Sequence, residues 1–230
     1  MRIPAACFVV LGWIAAASPA SAQAAPAATD LYHVHFTKSA PGQAAAHAKA
    51  LMAPDTTSSM PDHFVVLRHQ EGDDWDYVVI QHLGPKAALT ADAPPQGVAL
   101  RELTAWHNDT FASGPSWSAF TKELGIGAAS GQVYIVGVHR AVPGHRDQLL
   151  KSLGAAGTPG TIQTGNVLLQ HVEGGDWTFA TITRYNSWQD FGNDQAAAAA
   201  STDTAGGWSD IRQHSAFHRD TIADRIHPAK

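Results

Sequence analysis

The string HQEGDDW at residues 69–75 returns as HVEGGDW at residues 171–177, 102 positions later in a chain of 230 residues. Working outward, residues 32–83 align without a gap onto 134–185 at the same offset. Tyr32/Tyr134, Val34/Val136, Pro41/Pro143, Gly42/Gly144, Leu67/Leu169, His69/His171 and Trp75/Trp177 are shared. A second matched block, AWHNDTFA (105–112) against AFHRDTIA (216–223), ends each copy at an offset of 111. The nine-residue difference falls in the alanine-rich stretch DQAAAAASTDTAGG (194–207), read as a surface insertion. Order and spacing mark an internal duplication, and self-similarity at a long period has to be read before local propensity.

Within each copy the pattern changes in one order. LYHVHF and VYIVGV are rich in β-branched and aromatic residues and predict strands. APGQAAAHAKALM and VPGHRDQLLKSLG turn at Pro-Gly and then become helical in composition. HFVVLRH and NVLLQHV predict second strands, and Glu-Gly-x-Asp predicts a hairpin turn, since glycine tolerates left-handed backbone and aspartate bonds nearby amides. WDYVVIQHL and WTFATITRY predict third strands, then comes a helical segment, and the His-x-Asp-Thr block leads into a short final strand. This β-α-β-β-α-β order is the split ferredoxin-like unit. Each unit leaves one sheet face bare, so the expected fold is α+β: two ferredoxin-like repeats packed sheet to sheet as an intrachain barrel, with helices outside. The expected boundaries are 1–22 for an export signal, 31–112 for the first repeat, 113–132 for a linker with a short helix, and 133–226 for the second repeat.

Tandem copies with a Tyr-x-Val opening strand, a Pro-Gly before the first helix and a GDDWD or GGDWT third strand resemble the dimeric α+β barrel superfamily. The resemblance spans nearly all of the chain after the signal. It implies a barrel that binds or transforms a small molecule. The superfamily's members include cofactor-independent monooxygenases, polyketide cyclases, haem-degrading and haem peroxidase-like enzymes, and stress-responsive proteins, and fold alone does not choose among them.

Composition narrows the classes. The segment MRIPAACFVVLGWIAAASPASAQA has one early cation, a short apolar run and Ala20-Ser21-Ala22 before Gln23, the pattern of a cleaved export signal. The apolar run is too short to span a membrane, and none longer follows, so a periplasmic or secreted protein with no membrane partner is expected. Cys7 is the lone cysteine and lies within that signal, which removes disulfides, thiol nucleophiles and cysteine metal sites from the exported chain. The net charge of −5 and the lack of a Lys/Arg cluster argue against nucleic-acid partners. A monomer or homodimer with a small-molecule ligand is expected.

Thirteen histidines stand against fifteen Lys and Arg residues, and they supply the candidate site. His69 and His171 precede the duplicated turn, which does not itself require histidine. His107-x-Asp109 and His218-x-Asp220 persist in both copies. On an extended strand the two side chains of each pair share a face, where a carboxylate can orient an imidazole for base chemistry. The alternative is that the histidine caps the preceding helix. His69, His107, Asp109, His171, His218 and Asp220 are therefore the catalytic candidates. The expected clusters form across the barrel, His69 with His218 and Asp220, and His171 with His107 and Asp109. His33 and His35 share a face of the first strand where the second copy has Ile135 and Gly137. With Trp75 and Tyr77 they are the ligand-binding candidates, shaping a cavity inside the barrel. His-x-His on a strand also suits a metal once a third ligand is near, with His82 as the candidate. No helical His-x-x-x-His motif accompanies it, and neither a metal nor another cofactor is assigned.

Two readings of function remain. The first is an enzyme, monooxygenase-like or cyclase-like, acting on a small aromatic or hydrophobic molecule through a His-Asp base. The second is a non-catalytic protein, either binding a ligand such as haem or serving as a stress-related structural barrel.

Overall fold

The computed structural model describes residues 29–56, 58–85, 98–127, 132–154, 162–200 and 208–228. The expected export signal lies outside the described residues. Eight strands form the barrel: β1 (Asp30–Ser39), β2 (Phe64–Glu71), β3 (Tyr77–Pro85), β4 (Thr104–Gly114), β5 (Val133–Ala141), β6 (Gly165–Glu173), β7 (Phe179–Tyr185) and β8 (Ser215–His227). The helices are α1 (Ala44–Leu51), α2 (Val98–Arg101), α3 (Trp117–Glu123), α4 (Arg146–Gly154), α5 (Trp188–Ala200) and α6 (Trp208–His214). Strand order around the closed barrel is β1-β3-β2-β8-β5-β7-β6-β4, and each neighbouring pair is antiparallel.

Side-chain alternation along each strand sends one set of residues inward and the other outward. Tyr32, Val34 and Phe36 of β1 join Val65, Leu67, Val78, Ile80, Ala112, Tyr134, Val136, Val167, Leu169, Ala180, Ile182 and Ala223 in one buried cluster drawn from all eight strands. An eight-stranded barrel is just wide enough for its side chains to fill it. The cavity expected at the barrel axis is therefore occupied by the protein's own core. Phe120 of α3 and Leu124, which caps that helix, plug one end, with Phe120 stacked on Tyr32 at 4.9 Å. Trp75 and Trp177 close the other.

The outward faces are covered in two smaller clusters. Leu51 of α1 packs with Phe64, Val66 and Tyr77, and Leu149 and Leu153 of α4 pack with Phe179. The alanine run enters α5, which presents no buried residue, and its remainder lies outside the described residues.

The two HxEGxDW segments are hairpin turns, and they also join the two halves. Gly72 has φ +127° and Gly174 has φ +110°, conformations that glycine alone adopts cheaply. A Cβ on Gly72 would lie 2.5 Å from the Asp220 carbonyl oxygen and 2.8 Å from Thr221 Cα. Gly174 meets the Asp109 carbonyl and Thr110 in the same way. Threonines complete the joint: the Asp73 amide donates to Thr221 Oγ1 at 3.2 Å and the Gly175 amide to Thr110 Oγ1 at 3.0 Å. The duplicated turn and the threonine of each His-x-Asp-Thr block therefore share a structural reason to persist. Each turn tip seats on the closing strand of the opposite half.

Candidate functional site

The His-x-Asp-Thr blocks lie within β4 and β8 rather than ahead of a short final strand. That extension puts His107 and Asp109 on one face. β1 and β4 pair with His35 opposite Asp109 and Thr37 opposite His107. His33 and His35 alternate with Tyr32, Val34 and Phe36, so they point away from the barrel core, toward the helical layer. Four polar side chains from two adjacent strands consequently meet outside the barrel.

Asp109 is the centre of this cluster. Its Oδ1 lies 2.8 Å from His33 Nε2 and 2.7 Å from His35 Nδ1, and its Oδ2 lies 2.6 Å from His107 Nδ1. Burial by itself would raise the Asp109 carboxyl. The hydrogen bonds of His33 and His35 outweigh that effect, and their electrostatic attraction adds to it, so the group is held well below the usual carboxylate range. An ionised carboxylate only accepts, so each facing ring nitrogen must carry the hydrogen. In the neutral ring this leaves His35 Nε2 and His107 Nε2 as acceptors. His35 is buried, whereas His107 is half exposed and keeps the cluster in reach of solvent. His35, His107 and Asp109 each offer one ligand atom, all within 4.8 Å of one another, a set able to hold a metal ion.

His33 and His35, with Gln81 and Asp55, supply the polar lining of a cavity of about 130 Å³ between the outer sheet face and helices α1 and α2. Leu51, Phe64, Val79 and Leu100 supply its apolar walls, and Ala50 and Ala53 flank them. An apolar cavity of about 150 Å³ accepts a benzene ring, so this space is of single-ring size. Close by, the fully buried His47 has Nδ1 3.1 Å from Ser39 Oγ and packs edge-on against Tyr77 at 5.7 Å. Burial, with a smaller contribution from His35, pushes the His47 imidazole below its ordinary value.

The remaining candidates stand elsewhere. β2 does pair with β8, and β4 with β6, but His69 lies opposite Ala223 and His171 opposite Ala112, so the expected cross-barrel clusters do not assemble through these pairs. His69 instead packs on Trp75, and His171 Nε2 accepts from the Gly175 amide within its own turn. His218 and Asp220 stand 3.8 Å apart, His218 Nδ1 accepts from Arg212 at 3.0 Å, and its ring stacks on His139. Ile135 and Gly137 occupy the places of His33 and His35, so the second half has no equivalent of the four-residue cluster. Trp75 belongs to the barrel core. Tyr77 lies outside it, with its hydroxyl donating to the Ala44 carbonyl at 2.9 Å.

His82 does not join His33 and His35, because its position on β3 faces inward. Its Nε2 meets Asp30 Oδ2 at 2.8 Å, its Nδ1 meets His63 Nδ1 at 3.2 Å, and its ring stacks on Trp117 at 5.2 Å. Burial lowers the His82 imidazole, and Asp30 opposes that shift. Neither Asp30 nor His63 was expected beside His82 from the sequence. The available signal was that β1 and β3 are antiparallel, which brings the end of one to the start of the other.

No family model matches this sequence, and no curated protein matches it. Solved structures do resemble the fold. An anthrone oxidase-like protein superposes with a TM-score of 0.57 at 14% identity, over 87% of this chain and 92% of its own. Two provisionally assigned monooxygenases follow the same course. The one from Lactobacillus acidophilus has a TM-score of 0.50 at 7% identity, over 86% of this chain and 94% of its own. The one from Fusobacterium nucleatum has a TM-score of 0.51 at 9% identity, over 87% and 93%. These structures share the closed antiparallel α+β barrel fold seen here. Among the described residues no helix is long and apolar enough to cross a membrane.

Proposed function

We propose that this protein is an exported, oxidase- or monooxygenase-like α+β barrel that acts on a single-ring phenol or quinol held between the first sheet and helices α1 and α2. We read its two halves as tandem ferredoxin-like units, on the strength of the internal repeat and the strand order β4-β1-β3-β2 followed by β8-β5-β7-β6. The observation that carries the functional reading is that His33 and His35, which line a ring-sized cavity, are both held by the Asp109 carboxylate behind it.

In that geometry His35 is the base. Its Nδ1–H is held by Asp109, leaving Nε2 as the acceptor on a ring that lines the cavity. It takes the proton of a substrate hydroxyl, and the adjacent carboxylate stabilises the imidazolium that results. The substrate oxyanion is the electron-rich form that gives electrons to dioxygen. A quinol leaves as its quinone, and dioxygen takes up the two electrons and two protons as hydrogen peroxide. The solved structures of similar fold, an anthrone oxidase-like protein and two provisionally assigned monooxygenases, agree with this class of chemistry. The cavity is small for haem, since drug-sized ligands need roughly 300 Å³ or more.

The test is oxygen uptake with one-ring phenols and quinols. Removing a general base costs roughly 10²–10⁴-fold in rate, so uptake by the native protein should collapse in His35→Ala. No uptake across the panel, or uptake unchanged in the variant, contradicts the enzyme reading. Saturable ligand binding without uptake would leave the non-catalytic binding reading. Export is tested by N-terminal sequencing of protein from the exported fraction, where a start at Gln23 is expected.

A further inference from the structure

We propose that His35, His107 and Asp109 bind one divalent transition-metal ion per chain, with His33 holding the carboxylate in place. The proposal rests on the same cluster as the acid–base reading but asks something different of it, namely coordination in place of hydrogen bonding.

The argument begins with the strands. β1 and β4 are hydrogen-bonded neighbours within the closed barrel, so ligands at His35, His107 and Asp109 sit on backbone in fixed register. Alternation puts all three on one face. Their ligand atoms lie within 4.8 Å of one another, and metal–nitrogen and metal–oxygen bonds of about 2.0–2.2 Å require only a modest closing of that spread. The exposed His107 ring has room to make the adjustment. Two imidazoles and one carboxylate form an open ligand set suited to zinc or iron(II), with positions left for water or substrate. On coordination the imidazoles would bind through Nδ1 and carry their hydrogens on Nε2, so His35 acts as the base only in the metal-free protein and the two roles belong to alternative states of the cluster.

The surroundings agree. Ligating carboxylates are themselves usually hydrogen-bonded, which fixes their orientation and strengthens the site. His33 Nε2 meets Asp109 Oδ1 at 2.8 Å, and its ring packs on Phe111 at 5.5 Å. The other half of the barrel folds in the same strand order, and among its described residues no three ligand atoms come as close together. It keeps His218 and Asp220 but has Gly137 where His35 stands, and Arg212 donates to His218 Nδ1. The barrel therefore does not need three imidazoles around a carboxylate for its own stability, and one site per chain is expected rather than two.

The experiment is equilibrium dialysis of the untagged, chelator-treated full chain against Zn²⁺, with visible absorption of the Co²⁺-loaded protein as a second readout. One equivalent of Zn²⁺ should bind, and Co²⁺ should give the ligand-field bands of a low-coordinate nitrogen–oxygen site. His107→Gln alters an exposed side chain and should weaken binding at least tenfold while leaving the circular dichroism unchanged. Asp109→Asn should do the same, and His218→Gln should change nothing. No bound equivalent, or binding unaffected by His107→Gln, overturns the proposal. Binding removed instead by His145→Gln, whose Nδ1 lies 2.9 Å from His214 Nδ1, also overturns it by locating the ion elsewhere. Phenol binding measured on the chelated protein separates the readings. If it persists while Zn²⁺ fails to bind, the metal site alone is refuted.

Discussion

Replacing Asp109 with asparagine should cost far more stability than replacing Asp220, although the two occupy the same place in the two His-x-Asp-Thr blocks. Asp109 accepts from three imidazoles at 2.6–2.8 Å, whereas Asp220 stands 3.8 Å from His218, beyond hydrogen-bond range. An asparagine can keep one carbonyl oxygen toward His33 and His35, but it turns an amide toward His107 and removes the charge. Charge-assisted hydrogen bonds are roughly twice as strong as neutral ones, at about 1.5–3 kcal/mol against about 1. Asp109 is about one-third exposed, so solvent screening reduces the gain. A net loss of about 2 kcal/mol follows for Asp109→Asn, against less than about 0.5 kcal/mol for a surface change such as Asp220→Asn. Urea unfolding at pH 7, followed by tryptophan fluorescence, measures both. With a slope of about 2 kcal/mol/M, the midpoint should fall by about 1 M for Asp109→Asn. The pH dependence carries a sign as well. A carboxyl held below its unfolded value stabilises the protein above about pH 4, the unfolded value, and loses that contribution as the pH falls further. The gap between native protein and Asp109→Asn should therefore narrow in acid. Equal midpoint shifts for the two variants, or a gap independent of pH, would refute the assigned network.

Gly72→Ala should destabilise the protein by about 2–4 kcal/mol, combining an unfavourable φ of +127° with a clash against the Asp220 carbonyl. Gly154→Ala, where a Cβ meets nothing within 4 Å, is the control, and comparable urea midpoints would contradict the docking of the turn on β8. Burial, aided by His218, pushes the His139 imidazole down to about 4. The unfolded chain takes up that proton near pH 6.5 and the folded chain does not. Stability should thus fall as the pH drops from 6.5 to 4, and His139→Leu should flatten the slope by about one proton. An unchanged slope in thermal unfolding across that range would show that His139 is not buried in its neutral form.

Much of the architecture was readable because turns and periodicity recur. Pro41-Gly42 and Pro143-Gly144 mark where strand gives way to helix, and the alternation in LYHVHF and VYIVGV marks β1 and β5. Alternation has a limit, however. It puts His33 and His35 together but does not say which face they take. Both faces of this sheet are covered, one by the barrel core and the other by α1 and α2, so apolar neighbours gave no direction. The histidines went outward, and the site moved with them. The partners of His69 and His171 across the barrel depend on strand register, which the sequence does not state. The strand edges do meet, with glycine and threonine in contact at the turn tips, and the register sets His69 opposite Ala223 and His171 opposite Ala112. Within β4, by contrast, His107 and Asp109 are two residues apart on one strand face, and that spacing was sufficient to join them.

The most direct test of a ring-binding site outside the barrel is calorimetric titration of the native protein and Ala50→Leu with hydroquinone under anaerobic conditions. Ala50 is a partly exposed residue that lines the cavity and is not itself part of the Asp109 cluster, so the larger side chain takes up ring space while leaving those four residues in place. Saturable binding at one site per chain, weakened at least tenfold in Ala50→Leu with unchanged thermal stability, is the predicted result. Absence of saturable binding, or equal affinity in the two proteins, would contradict it.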